Sequence, residues 1–168
     1  FRIFDALNDT RNLETAIKAV KKAGKHAQGT ICYTTSPVHT SELFVKQAKD
    51  MQAMGVDSIA IKDMAGLLTP FATYDLVKAI KSAVDLPLVI HSHSTAGRGP
   101  LCQLKAIEAG VDRIDTAISP FASGTSHPAT ESQVAALKGT QYDSDLDLEL
   151  LAEIADYFRE VRKKYYQF

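Results

Sequence analysis

The segments GVDSIAI, from Gly55, and GVDRIDTAI, from Gly110, repeat one another: a helix-ending glycine, a short turn carrying Asp, then a run of strand formers. Around them, strand-like and helix-like patterns alternate five times. Their spacing is near 30 residues, the size of one βα unit. A chain built this way folds into a parallel sheet covered by helices, because parallel neighbours need a long crossover and helices supply it. The 168 residues suffice for one domain with a sizeable core.

The units read as follows. Residues 1–4 form a strand that ends at Asp5, with a polar loop through Asn8, Asp9 and Thr10. Leu13, Ala16, Ile17 and Val20 then recur at helical spacing, and Gly24 closes that helix. Residues 27–33 are the second strand. Thr40 caps a helix running to Met54, with Leu43, Phe44, Ala48 and Met51 as its apolar stripe. Residues 58–61 are the third strand, followed by Lys62 and Asp63. Thr69 and Pro70 make a strong helix start, a capping hydroxyl before a proline at the first helical position. The fourth strand, LPLVI over 86–90, ends in His91-Ser92-His93. A helix over 101–109, a strand over 113–118, the loop SPFASGTSHP and a helix over 129–137 complete the alternation. Ser126 is the N-cap candidate of that last helix, with Pro128 just inside it.

Two architectures place strands and helices in this order. A doubly wound sheet carries a glycine-rich phosphate loop after its first strand, and FDALND offers none. In a (β/α)8 TIM barrel the strand C-termini converge on one mouth. Here they carry Asp5, Thr34, Lys62, His91, His93 and Ser119, which favours a partial barrel of about five βα units. Eight units need roughly 250 residues, so residues 1–140 are expected to be the C-terminal part of a barrel domain. Residues 141–168 depart from the pattern and begin a helical extension. An acidic linker leads into one long amphipathic helix within residues 142–168, with Leu148, Leu151, Ile154, Ala155, Phe158, Val161 and Tyr165 on one face. Basic Arg159, Arg162, Lys163 and Lys164 lie towards its C-terminal end, where the helix dipole favours them. A helix packed on the barrel is the simpler reading of it.

The balance of charge excludes some functions. A net charge of −1 leaves no basic footprint for nucleic acid, and no apolar run is long enough to span a membrane. Cys32 and Cys102 form no CxxC pair, which speaks against a disulfide framework and for a reducing, cytoplasmic setting. The first residue is Phe1, already within a strand pattern, so the chain is expected to be a piece of a longer protein.

Three features carry chemistry. Residues two apart on a strand face one side, so His91 and His93 present both imidazoles to one point. That is the geometry of a metal pair; a strand end with two solvated histidines is the alternative. Lys62 is an amine at the end of an apolar strand, where desolvation and a nearby cation both favour the neutral form. A neutral amine reacts with carbon dioxide to give a carbamate, which turns it into an anionic oxygen donor. The competing reading has Lys62 bending to Asp63 or reaching solvent. The loop after the fifth strand holds Ser119, Ser123, Thr125 and Ser126, hydroxyls able to relay a proton as well as to cap a helix. Surface or capping roles suit His26 and His39.

Taken together, FRIFDALND, GTICYTTSPVHT, SIAIKDMAGLLTP, HSHSTAG and DTAISPFASGTSHPATE resemble the carboxyltransferase domain of biotin-dependent enzymes. The likeness is nearest to the oxaloacetate decarboxylase α subunit, with pyruvate carboxylase and transcarboxylase beside it. The resemblance implies that Lys62, as a carbamate, and His91 and His93 hold a divalent metal, zinc first, with cobalt or manganese as alternatives. It implies that Thr125 shuttles a proton between biotin and the methyl group of pyruvate, and so also meets the cofactor. The reaction implied moves a carboxyl group between oxaloacetate and biotin, with the metal polarising the keto carbonyl. Biotin would arrive on a separate carrier domain. The implied partners are oxaloacetate or pyruvate, that carrier, membrane-complex subunits of the parent protein, and further copies in a homo-oligomer.

Two departures qualify this. The family's fourth ligand is an aspartate of the first barrel strand, within a motif this chain lacks, so the piece alone is expected to be inactive. Arg98, Gly99 and Pro100 stand where relatives carry a small or apolar helix start; Arg98 reads as a local variation before an anion contact. A metal-dependent lyase or Claisen-condensing enzyme on a related barrel also uses an H-x-H pair, but the KDMAG sequence argues against it. A half-barrel assembly unit is the non-enzyme alternative, since open sheet edges invite pairing with another chain.

Overall fold

The computed structural model describes residues 1–167; Phe168, at the end of the expected terminal helix, lies outside them. Five parallel strands form one sheet in the order β1-β2-β3-β4-β5: β1 Arg2–Ile3, β2 Gln28–Cys32, β3 Ser58–Asp63, β4 Leu88–Ser92 and β5 Arg113–Ile114. Each strand pairs with the next in the chain, and every ladder is parallel. Right-handed crossovers between sequential neighbours put every connecting helix on one face. That is the winding of a barrel arc and not of a doubly wound sheet.

The helices are α1 Glu14–Lys22, α2 Ser41–Ala53, α3 Pro70–Lys81, α4 Gly99–Glu108, α5 Thr130–Leu137 and α6 Leu148–Lys164. Two of the expected starts are made as the sequence reads. Thr40 Oγ1 accepts from the Leu43 N–H, and Thr69 Oγ1 accepts from the Ala72 N–H with Pro70 in the first turn. The core lies between the sheet and these helices. Ile31, Ile59, Ile61, Leu88 and Ile90 meet Ile17, Phe44, Met51, Val77 and Ile80 in one cluster. Alternation sends Thr30, Ala60 and Val89 to the opposite face, away from the helices; Ala60 and Val89 are buried but stand outside that cluster.

The repeated GVD motif staples the sheet at its N-terminal end. Gly55 and Gly110 close α2 and α4 with φ of 83° and 94°, in the left-handed region glycine tolerates. The aspartate that follows then reaches the preceding strand. Asp57 Oδ2 accepts from the Ala27 N–H at 2.8 Å, while the Asp57 N–H donates to Ala27 O at 2.8 Å. Asp112 Oδ2 accepts from the Leu88 N–H at 2.7 Å, and the Asp112 N–H donates to Leu88 O at 3.0 Å. Each carboxylate also pairs with a lysine of the helix before that strand, Lys21 for Asp57 and Lys81 for Asp112.

Several boundaries differ from expectation. β1 holds only Arg2–Ile3 because the chain turns at Asp5, whose Oδ1 accepts from the N–H groups of Leu7 and Asp9. Asn8 then continues the pairing in place of a strand, its amide bonding both Cys32 O and the Cys32 N–H. β5 stops at Ile114, since beyond it the chain bonds to the loop and helix ahead: Ala117 O accepts from the Thr130 N–H. α6 begins at Leu148, not near Tyr142, because Asp147 caps it through the Glu149 and Leu150 N–H groups. Its Ala155 is buried, Phe158 meets Phe121 with ring centroids 5.9 Å apart, and Arg162 donates to Pro120 O. Tyr165, expected on the packed face, is 60% exposed.

The staples generate a prediction. Asp112→Ala removes a charged acceptor from a strand N–H and should cost about 1 kcal/mol in urea unfolding. The Lys21 pair and the Ala27 N–H hold the Asp57 carboxyl below its ordinary value; for Asp112, burial opposes the lowering but the Leu88 and Lys81 bonds prevail. Stability from both is therefore full above the ordinary carboxylate pKa of about 4 and is lost as pH falls through the lowered values. The double variant Asp57→Ala/Asp112→Ala should lose less stability than the parent between about pH 5 and pH 3.

Candidate functional site

At the C-terminal end of β3 and β4 the register puts Lys62 opposite His91 and Asp63 opposite Ser92. Lys62 and His91 therefore share the face turned away from the helices, while Asp63 is fully buried on the helix side. Asp63 organises the loop that follows it: its carboxylate accepts from the Leu67 N–H at 2.8 Å and the Leu68 N–H at 2.9 Å. Arg98 holds the same loop from its carbonyl side, donating to Gly66 O at 3.1 Å and Leu68 O at 3.2 Å. Arg98 is thus a loop clamp that uses its guanidinium on backbone.

This loop packs directly on the histidine segment. Gly66 has φ +67°, and a Cβ there would lie 3.0 Å from His93 O and 3.2 Å from the Thr95 nitrogen. The His93 N–H donates to Asp63 O at 3.0 Å. The glycine of KDMAG is what allows the two strand-end loops to touch.

His91 and His93 come together as the strand spacing predicts, their ring centroids 5.3 Å apart. A third imidazole joins them. His127, from the hydroxyl-rich loop, lies 4.2 Å from His91 and 4.7 Å from His93 between centroids. One ring nitrogen of each can be chosen so that all three lie within 4.8 Å of one another. All three rings are partly buried. Their other nitrogens are engaged: His91 Nδ1 with Asp115 Oδ2 at 2.7 Å, His93 Nδ1 with Thr125 O at 2.5 Å, and His127 Nδ1 with Ser92 O at 2.9 Å. A carbonyl or carboxylate oxygen only accepts, so each Nδ1 donates in these bonds. Metal-ligating histidines are held in this way, the outer N–H donating to carboxylate or backbone oxygen. The donor set fits a divalent ion of the zinc class.

The electrostatics agree. Burial opposes ionisation of Asp115, but hydrogen bonds from His91 and Arg2 outweigh it and hold its carboxyl at about 2. Arg2 Nη1 donates to Asp115 Oδ2 at 2.6 Å and lies 2.8 Å from His91 Nδ1. Burial pushes the His127 imidazole below its ordinary value; the bond to Ser92 opposes this, and His91 and His93 add to it. The balance favours the neutral form of His127, the form in which imidazole binds a cation.

The other expected residues are placed differently. The Lys62 ammonium sits 3.8 Å above the centroid of the Phe4 ring and, among the described residues, makes no ion pair with Asp63. Thr125 is exposed and reaches the cluster through its backbone carbonyl. Ser126 is not the N-cap of α5: the cap is Ala129, without a side-chain bond, and Pro128 precedes the helix. Instead Ser126 O accepts from the Ser94 N–H at 2.7 Å, which ties the loop to the end of β4. Sequence patterns did not single out His127 or Asp115. Continuing the β4–β5 register by one residue past Ile90 and Ile114 puts Asp115 beside His91, a signal the strand pattern contains. His127 is separated from the H-x-H pair along the chain, and only the fold of the loop reveals it.

A singly wound parallel sheet with an imidazole cluster at its C-terminal rim defines part of a barrel whose strand ends form a site. The chain belongs to the HMGL-like family, whose model matches residues 5–158. It is 63% identical over 165 residues to a pyruvate carboxylase subunit of Methanocaldococcus jannaschii, covering 98% of this chain and 29% of that protein. It is 54% identical over 170 residues to the methylmalonyl-CoA carboxyltransferase 5S subunit of Propionibacterium freudenreichii subsp. shermanii, covering 100% of this chain and 34% of that protein. Among solved structures it superposes on the carboxyl transferase domain of Rhizobium etli pyruvate carboxylase with pyruvate and biocytin, at a TM-score of 0.96 and 36% identity. That match covers 98% of this chain and 29% of the other. The chain thus spans about a third or less of the relatives it matches.

Gly66→Ala forces an L-residue into left-handed backbone against His93 O. It should lower the unfolding free energy by about 1–3 kcal/mol, read by urea denaturation.

Proposed function

We propose that the full-length protein is an enzyme that moves a carboxyl group between a 2-oxo acid, oxaloacetate or pyruvate, and biotin borne on a separate carrier domain. The observation that carries this reading is the convergence of His91, His93 and the Thr125 loop on one point at the end of β4. It occurs within a chain that superposes on a carboxyl transferase domain holding pyruvate and biocytin. His91 and His93 would hold a divalent ion, zinc first and cobalt or manganese as alternatives, with Lys62 as a carbamate oxygen donor from the neighbouring strand. When bound, such an ion supplies Lewis-acid polarisation of the keto carbonyl.

The chain's own residues do the rest. Asp115 and Thr125 O fix the orientation and tautomer of His91 and His93. Thr125 Oγ1, exposed at the mouth, carries the proton that C3 of pyruvate gives up and a biotin nitrogen takes as carboxyl passes to the 2-oxo acid. Lys62, now over the Phe4 ring, is the register partner of His91 on the neighbouring strand. The pyruvate carboxylase names among the relatives support the carboxylase direction. The oxaloacetate decarboxylase type shares this half-reaction and differs in its partners, which would include membrane-complex subunits. A cytoplasmic homo-oligomer is the setting we assign; Cys32 and Cys102 are both free thiols.

Lys62→Ala in the full-length protein should abolish exchange of carboxyl between oxaloacetate and biotin, and normal turnover in that variant would sink the assignment. Thr125→Ala should lose transfer yet keep the metal. Acyl-CoA-dependent cleavage or condensation by the full-length protein would instead favour the lyase reading.

A further inference from the structure

The start of α4 is built unlike those of α2 and α3. Thr40 and Thr69 cap those helices with their hydroxyls, whereas α4 opens on Arg98-Gly99-Pro100 and, among the described residues, no side chain caps it. Arg98 and Gly99 are spent on neighbouring loops instead. Arg98 reaches back to the loop after β3: its Nε donates to Leu68 O at 3.2 Å, and its Nη2 to Gly66 O at 3.1 Å and Leu67 O at 3.4 Å. One turn further along α4, the Cys102 thiol donates to the same Leu68 O at 3.4 Å. A guanidinium presents its donors in a fixed fork, so one side chain holds three consecutive carbonyls at set positions. On the other side of this segment the Asp63 carboxylate takes the Leu67 and Leu68 N–H groups.

Gly99 faces the other loop. A Cβ there would overlap Ser94 Oγ and lie 3.1 Å from Pro128 Cγ, so glycine is what lets the first turn of α4 sit against both. Ser94 and Pro128 in turn fix the chain that carries Thr125. The Ser94 N–H donates to Ser126 O at 2.7 Å, and the Ala117 N–H donates to Pro128 O at 3.0 Å. One helix end therefore touches both the loop that follows Lys62 and the loop that bears Thr125.

We propose that Arg98 and Gly99 are positioning residues for carboxyl transfer: neither meets substrate, and together they hold the Thr125 hydroxyl in fixed relation to the loop after Lys62. The inference rests on the reading of Thr125 as the group that carries the proton. Proton transfer through a hydroxyl needs donor, carrier and acceptor within hydrogen-bond reach. A displacement of about 1 Å costs such a step roughly 100-fold. Removing the guanidinium frees the carbonyls of residues 66–68 from α4. A methyl group at position 99 pushes Ser94 and Pro128 off the helix. Either change shifts one loop against the other without removing a reacting group.

The test uses the full-length protein, with transfer of carboxyl from oxaloacetate to biotin followed in H2O and in D2O. Arg98→Met and Gly99→Ala should each lower kcat about 10-fold or more while KM for oxaloacetate stays within about two-fold. The ratio of kcat in H2O to kcat in D2O should rise above that of the parent, since proton transfer becomes the slow step. Arg98→Lys, which keeps a single point donor, should fall between parent and Arg98→Met. The isotope ratio does not depend on how much of a variant is folded, so a purely structural role leaves it at the parent's value. A lowered kcat with the parent's ratio, an unchanged kcat, or a raised KM alone overturns the positioning role and leaves the carboxyl-transfer reading standing. Transfer that survives Thr125→Ala, or a parent that transfers none, overturns the reading beneath the inference and the inference with it. Should Gly99→Ala fail to fold, as circular dichroism would show, the two Arg98 variants decide.

Discussion

The register between β3 and β4 is the constraint on which the site depends. Pairing Lys62 with His91 puts both on the face away from the helices, and a slip of one residue would bury His91 against α3 and α4 while exposing Ile90. Apolar contacts resist that slip, because Ile59, Ile61, Leu88 and Ile90 all sit in one cluster. Polar staples resist it at both ends. The Ile59 N–H donates to Pro87 O just before β4, and at the end of β4 the His93 N–H donates to Asp63 O. The two histidines are thus placed by groups that never touch a ligand.

Beyond the strands, the site is held by oxygens and not by side-chain packing. Each imidazole donates to an oxygen from a different segment: Asp115 after β5, Thr125 in the loop, and Ser92 within β4. Since Ser92 lies between His91 and His93, the His127 bond knits the loop into the strand that bears the other two rings. The Asp63 and Arg98 clamps on residues 66–68 make the neighbouring loop a firm floor. Preorganisation of this kind costs the chain two left-handed backbone positions, at Ser123 and Gly124, beside the reacting groups.

How much of this was legible in the sequence follows from the range of the interactions. Alternating strands and helices, the GVD repeat, the Thr69-Pro70 start and the H-x-H pair are local, set by periodicity and by capping within a few residues. The barrel winding was readable too, from a missing glycine-rich loop and polar strand ends. Strand ends were not, because what replaces a ladder bond is decided elsewhere: Asn8 stands in for β1 opposite Cys32. Ser126 reads as a cap because serine before a helix usually is one, yet its backbone serves β4 instead. His127 was hidden for the same reason. Its partners are distant in the chain, and the loop around it reads as hydroxyls and a proline.

These ranges also account for how much of a site one arc of a barrel can carry. Barrel sites gather at strand C-termini, so neighbouring strands contribute to a common point without closure of the whole ring. Here β4 supplies two imidazoles, the segment after β5 supplies Asp115 and the His127 loop, and β3 supplies Lys62. All lie on three consecutive strands and their loops, so the hydrogen bonds that orient them are made inside the arc. The ends of the sheet are less complete: β1 and β5 are two residues each, and the polar groups of Arg2 and Asp115 turn towards each other across the open face. The three-imidazole cluster is therefore a property of the arc itself, whereas the Arg2–Asp115 pair, partly exposed on that open face, is the part of the site most sensitive to whatever covers it.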